Sequence, residues 1–158
     1  MAANVETMFY TREKPWHGLG TMVAEAPESR EALRLAGLDW RVLQEPAYTE
    51  KNELITGYRV NVRDRDRKIL GVVTDRYKVV QNEEAFAFTD ALLGEGVRYE
   101  TAGSLQEGKR VWLLARMPWE FIILGERITP YLVFSNAHDG SGAVKTALTP
   151  IRVVCNNT

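Results

Sequence analysis

The sequence predicts an α+β fold: a mainly antiparallel sheet built from hairpins, with two short helices packed on it. Three observations carry this. Apolar and polar residues alternate strictly over residues 57–64, charged or glycine-rich turns separate the strand-like runs, and only two stretches repeat apolar residues with helical spacing.

Residues 1–26 show no clear period, and Lys14-Pro-Trp-His-Gly-Leu-Gly20 reads as a turn-rich loop. Residues 28–36 form a short helix: Ala32, Leu33, Leu35 and Ala36 are apolar, and Gly37 sits at the C-terminal cap position. A first strand over residues 40–45 is expected to stop at Pro46. In residues 57–64, Tyr58, Val60 and Val62 point one way, and Arg59, Asn61 and Arg63 the other. Asp64-Arg-Asp-Arg67 is a charged turn, and residues 68–74 return as the second arm of a hairpin. Residues 77–80 continue extended.

Asn82 is expected to cap a helix over residues 83–93. Glu83 and Glu84 suit the positive end of the helix dipole, and Ala85, Phe86, Phe88, Ala91, Leu92 and Leu93 supply a broad apolar face before Gly94. Strands follow at 97–105, 110–117, 120–124, 128–138 and 143–155. Gln106-Glu-Gly-Lys109 and Asp139-Gly-Ser-Gly142 form hairpin-type turns. Pro118, Pro130 and Pro150 belong at strand starts, edges or bulges. Without repeat, linker or low-complexity tract, residues 1–158 read as a single domain. Strand-like residues 151–155 lead into the capping sequence Asn156-Asn-Thr158, so the chain is expected to be the N-terminal portion of a longer protein.

The 158 residues are 45% hydrophobic and 26% charged, an ordinary globular composition with enough length for a core. Twenty basic against 21 acidic residues leave a net charge of −1. There is no overall field to draw nucleic acid or a membrane, so any polyanion site must be local. Cys155 is the single cysteine, which excludes an internal disulfide and fits a reducing compartment. No signal peptide and no apolar stretch of membrane-spanning length is present, so a cytoplasmic protein is expected.

Gly103-Ser-Leu-Gln-Glu-Gly108-Lys109-Arg110 nearly matches a phosphate-binding P-loop. Arg110 stands where a magnesium-binding Ser or Thr is needed, and a strand follows instead of a helix; the segment reads as a hairpin turn. His17, His138, Asp139 and Cys155 show no metal-ligand spacing, and no cofactor is expected. His138 and Asp139 are the catalytic candidates, set against a structural role beside a tight turn. Alternation puts Arg110, Trp112, Leu114 and Arg116 on one face of their strand. If that face coincides with Arg59 and Arg63, cations interleave with an indole, a combination that binds single-stranded nucleic acid. The competing reading is a solvated outer face with Trp112 tucked under a neighbour.

Seven segments together resemble a known family: Pro15-Trp-His-Gly-Leu-Gly20, Ala36-Gly-Leu-Asp-Trp40, Asp75-Arg-Tyr-Lys-Val-Val-Gln-Asn82, Tyr99-Glu-Thr-Ala-Gly-Ser104, Arg110-Val-Trp112, Ser135-Asn-Ala-His-Asp-Gly140 and Thr149-Pro-Ile-Arg-Val-Val-Cys-Asn-Asn-Thr158. The sequence is similar to the phage/plasmid-like protein family, a domain of unknown function numbered 932. The resemblance implies a mobile-element setting inside bacteria, carries no established reaction, and makes Trp16, His17 and Gly18 a candidate motif loop.

The leading functional expectation is therefore an accessory protein that binds or anneals single-stranded DNA. Arg59, Arg63, Lys109, Arg110, Arg116, Lys145 and Arg152 would meet phosphates and Trp112 would stack on bases. The alternative is an interaction module that blocks or redirects a host defence or replication protein. A third reading, a metal-dependent hydrolase or nuclease, requires Asp139, Asp75 and Glu100 to converge. A homo-oligomer is open as a further partner; a membrane is not.

Overall fold

The computed structural model describes residues 4–11 and 18–150. Chain order is β1 (Val5–Thr11), β2 (Thr21–Val23), α1 (Ser29–Leu35), β3 (Val42–Tyr48), β4 (Leu54–Arg63), β5 (Ile69–Thr74), α2 (Asn82–Leu93), β6 (Arg98–Leu105), β7 (Arg110–Arg116), β8 (Phe121–Ile123), β9 (Glu126–Ile128), β10 (Tyr131–Ala137) and β11 (Lys145–Thr149). The α+β reading holds. Three sheets form, ordered β11-β10-β7-β6-β1-β2, β3-β4-β5 and β8-β9. All pairings are antiparallel except β1 with β2.

The hairpin β6–β7 is the centre of the large sheet. Its turn carries three consecutive positive φ values, at Gln106, Glu107 and Gly108, and returns the chain so that Leu105 faces Arg110. This is the hairpin turn expected in place of a P-loop. Gly108 is required there, because a Cβ would lie 2.6 Å from Nη1 of Arg63. β7 is buried on both faces. Val111, Leu113, Ala115 and Met117 join a core with Phe86, Leu93, Tyr99, Leu132 and Phe134 beneath the helices. Trp112 clusters on the other side with Met8, Tyr10 and Leu105.

Several elements differ from expectation. β3 continues through Pro46 because β3 is a sheet edge, where a missing N–H breaks no ladder. The α2 cap is Gln81, not Asn82. The Gln81 side chain instead accepts from the Val42 amide at 2.8 Å and donates to the Val42 carbonyl at 2.9 Å, fastening α2 to β3. β1 has no counterpart among the expected strands, because Met8, Phe9 and Tyr10 are all buried and leave no alternation to read. The apolar face of α2 is also narrower than expected: Ala85, Phe86 and Leu93 are buried, whereas Phe88 and Leu92 are exposed.

Candidate functional site

His138 and Asp139 sit where the large sheet meets β4 and β5. The His138 amide donates to the Lys109 carbonyl at 2.6 Å, and the His138 carbonyl accepts from the Asn61 side chain at 2.8 Å. Nε2 lies 2.8 Å from Oδ1 of Asn82. An amide oxygen only accepts, so Nε2 carries the proton. The ring is 0% exposed and meets Trp40 edge-on at 5.5 Å. Burial lowers its pKa to about 4, against a smaller opposing effect of Asp139. β5 crosses the turn closely: a Cβ on Gly71 would lie 2.7 Å from the Asp139 backbone, and one on Gly140 would lie 2.9 Å from Val73. His138-Asp139-Gly140 is thus a packing junction, with the imidazole buried inside it.

A second buried polar group extends the junction. Arg63 pairs with Glu6 at 2.6 and 3.1 Å and with Asp66 at 2.8 and 2.9 Å, while its guanidinium lies 5.2 Å from the Trp40 ring centroid. These bonds hold the Asp66 carboxyl down at about 2 and raise the Arg63 guanidinium above its ordinary value. The alternation over 57–64 therefore does not sort buried from exposed residues as expected. Asn61 and Arg63 are buried along with Val62, whereas Tyr58 and Arg59 are exposed.

This corrects the shared basic face. Arg63 is 7% exposed and Trp112 is 3% exposed. Trp112 lies across Gly103, where a Cβ would stand 2.6 Å from its ring, so the missing side chain in β6 makes room for the indole. Arg59 belongs to a different sheet. Arg116 is at the opposite end of β7 from Arg110, about 20 Å away along a seven-residue strand, and pairs with buried Glu100 at 3.6 Å. Trp16, His17 and Arg152 lie outside the described residues, and Gly18 is exposed.

What the fold does bring together is Arg110 and Lys145. Register pairs Ala137 with Arg110 and Ser135 with both Trp112 and Lys145, which sets these residues on the sheet face opposite α2. Lys109, Arg110 and Lys145 have no ion pair among the described residues. No cluster of three His, Cys, Asp or Glu able to hold a metal occurs among the described residues. Glu100 is buried inside β6, and Asp139 accepts from the Ser141 amide at 2.8 Å. No helix is long and apolar enough to cross a membrane.

Sequence reading placed a strand over residues 120–124, which is β8, but missed β9 and with it the hairpin that the two form. Phe121, Ile122 and Ile123 are exposed, and Leu124 at its tip is 100% exposed with φ 50°. The hairpin pairs with no third strand among the described residues. The signal was present as four consecutive apolar residues before a glycine, an exposed run that folding alone does not call for.

No curated protein and no solved structure matches the chain. Residues 69–158, more than half of the sequence, match the model of the family described as Domain of unknown function (DUF932), and the chain belongs to that family.

Proposed function

We propose that the chain is a protein-interaction module of a bacterial mobile element, docking through the β8–β9 hairpin onto a host protein that offers an apolar cleft. The observation that carries this is the hairpin itself. A two-stranded ribbon is marginal in water without a third strand or a packed face. This one exposes Phe121, Ile122, Ile123 and Leu124 together. Contiguous exposed apolar surface of this kind marks a contact site. The near-neutral net charge favours a protein partner over a polyanion.

The test compares the intact chain with Ile122→Asp as bait in nuclease-treated bacterial lysate. Ile122 is 74% exposed, so the variant keeps its fold. Intact bait retains one stoichiometric protein, and Ile122→Asp loses it. Equal recovery by both baits, or none by the intact chain, overturns the reading.

Single-stranded DNA remains a second reading because Lys109, Arg110 and Lys145 are uncommitted to carboxylates among the described residues. With the Trp112 indole buried, the cations alone predict weak, salt-sensitive binding with no preference for unpaired bases. A low-salt anisotropy titration against single- and double-stranded oligonucleotides checks this. Tight binding selective for single strands would restore a stacking role to some other aromatic residue.

A further inference from the structure

We infer that the notch between Arg110 and Lys145 binds a single phosphate group. The inference goes beyond the docking reading and uses none of its residues. Arg110, Ser135, Asn136, Ser141, Gly142 and Lys145 line a small recess of about 50 Å³. A cavity holds a water molecule once about 10–15 Å³ is open to a water-sized probe, so the recess has room for one compact polyatomic anion.

Its chemistry is that of an anion site. The β7–β10–β11 register places the Arg110 and Lys145 side of the sheet beside the hydroxyl of Ser135. The turn after β10 curls back to bring Ser141 and Gly142 to the rim. Nε of Arg110 is buried and has no hydrogen-bond partner among the described residues, so an anion in the recess would meet the terminal nitrogens of the guanidinium. The natural complement of a guanidinium is an oxyanion. The nearest carboxylate on the turn, Asp139, is engaged by the Ser141 amide. Gly142 meets nothing within 4 Å of a built Cβ, which leaves the mouth open. Two cations and two hydroxyls around one recess distribute donors over several directions, which suits a tetrahedral oxyanion better than a planar carboxylate.

The group can arrive as inorganic phosphate or as the terminal phosphate of an oligonucleotide. Calorimetric titration of the chain with sodium phosphate, at ionic strength matched by sodium chloride, tests the site. Titrations with a short oligodeoxynucleotide, with and without a 5′-phosphate, identify the source. Phosphate binding is saturable. Arg110→Gln weakens it about tenfold or more, as loss of a charge-assisted bond requires. Lys145→Ala weakens it too, and Arg116→Gln at the far end of β7 leaves it unchanged. Lys145 is exposed, so that variant is informative even if Arg110→Gln disturbs the fold. A 5′-phosphorylated oligonucleotide binding more tightly than inorganic phosphate assigns the site to nucleic-acid ends; equal affinities assign it to small phosphates. No saturable binding by the folded chain, or binding indifferent to both Arg110→Gln and Lys145→Ala, overturns the inference. The Ile122→Asp variant retains phosphate binding, so this failure and that of the docking reading are separate.

Discussion

His138 donates through Nε2 to Oδ1 of Asn82 at 2.8 Å, and the Asn82 amide donates in turn to the Leu38 carbonyl at 3.1 Å. One buried imidazole therefore ties the end of β10 to the start of α2 and to the loop before β3. Its other nitrogen, Nδ1, is buried without a partner, so a second proton there would be a buried, unsolvated charge. The unfolded chain takes up that proton near pH 6.5, and the folded chain only near 4. With falling pH the unfolded state binds more protons, so the stability contributed by the neutral His138 declines from about pH 6.5 to about 4, and this contribution levels off below. The full loss is roughly 3 kcal/mol. Asp66 is held down at about 2 and loses its contribution only below the ordinary aspartate value of 3.8, outside this window. His138→Gln keeps a donor toward Asn82 and cannot titrate. It costs about 1–2 kcal/mol at pH 7.5 and is expected to flatten the decline between pH 6.5 and 5 in urea melts. An identical slope in both proteins would remove His138 from the account.

The junction also explains a glycine that no turn demands. Gly71 lies within β5 opposite Asn61, and a methyl group there meets backbone atoms of Asp139 at 2.7 Å. Backbone cannot rotate away as a flexible side chain can. Gly71→Ala should cost about 1–3 kcal/mol by overpacking. Gly142→Ala, which meets open space, should stay within about 0.5 kcal/mol of the parent. Chemical denaturation of both variants measures the contrast. Equal stabilities would show that β5 is free to move off the turn.

Much of this fold was legible because its hairpins obey local rules. The β4–β5 and β6–β7 arms, their turns and both helices follow from alternation, capping and glycine placement. The directions of faces were not legible. Polarity placed Asn61 and Arg63 toward solvent, yet long-range partners reverse them: Glu6 is 57 positions away from Arg63, and His138 is 77 from Asn61. Trp112 is buried by Met8 and Tyr10, supplied by a strand whose continuous burial erased its own periodic signal. The candidate site suffered from the same cause. Strand alternation names two sides but cannot say which one another segment covers, and the Arg110–Lys145 notch exists only through the β7–β10–β11 register.

Burial of Trp112 is itself testable against a stacking role. Trp112→Ala removes a side chain from a packed cluster and should cost about 3–5 kcal/mol. Nε1 of Trp112 is buried and makes no hydrogen bond. Replacing the indole by phenyl forfeits no polar partner, so Trp112→Phe should cost far less than alanine, about 1–2 kcal/mol. Thermal or urea unfolding of the two variants decides the matter. A Trp112→Ala protein as stable as the parent would mean that the ring is not a core residue.

Leu124 offers the sharpest separation of folding from docking. It occupies the tip of β8–β9 with φ 50°, followed by Gly125 with φ 80°, and its side chain is wholly exposed. Two consecutive positive φ values match a type I′ hairpin turn, which asks for Asn-Gly rather than Leu-Gly. A leucine in this conformation costs about 1–2 kcal/mol that asparagine largely avoids. Nothing in the fold repays that cost, because Leu124 touches no core. Leu124→Asn should therefore leave stability unchanged or raise it by up to about 1 kcal/mol, while removing the foremost apolar group of the docking element. Retention of the captured partner should drop with Leu124→Asn as it does with Ile122→Asp, in a protein that melts no earlier than its parent. If Leu124→Asn instead unfolds the hairpin or lowers the melting temperature, the tip leucine is structural, and its exposure says nothing about a partner.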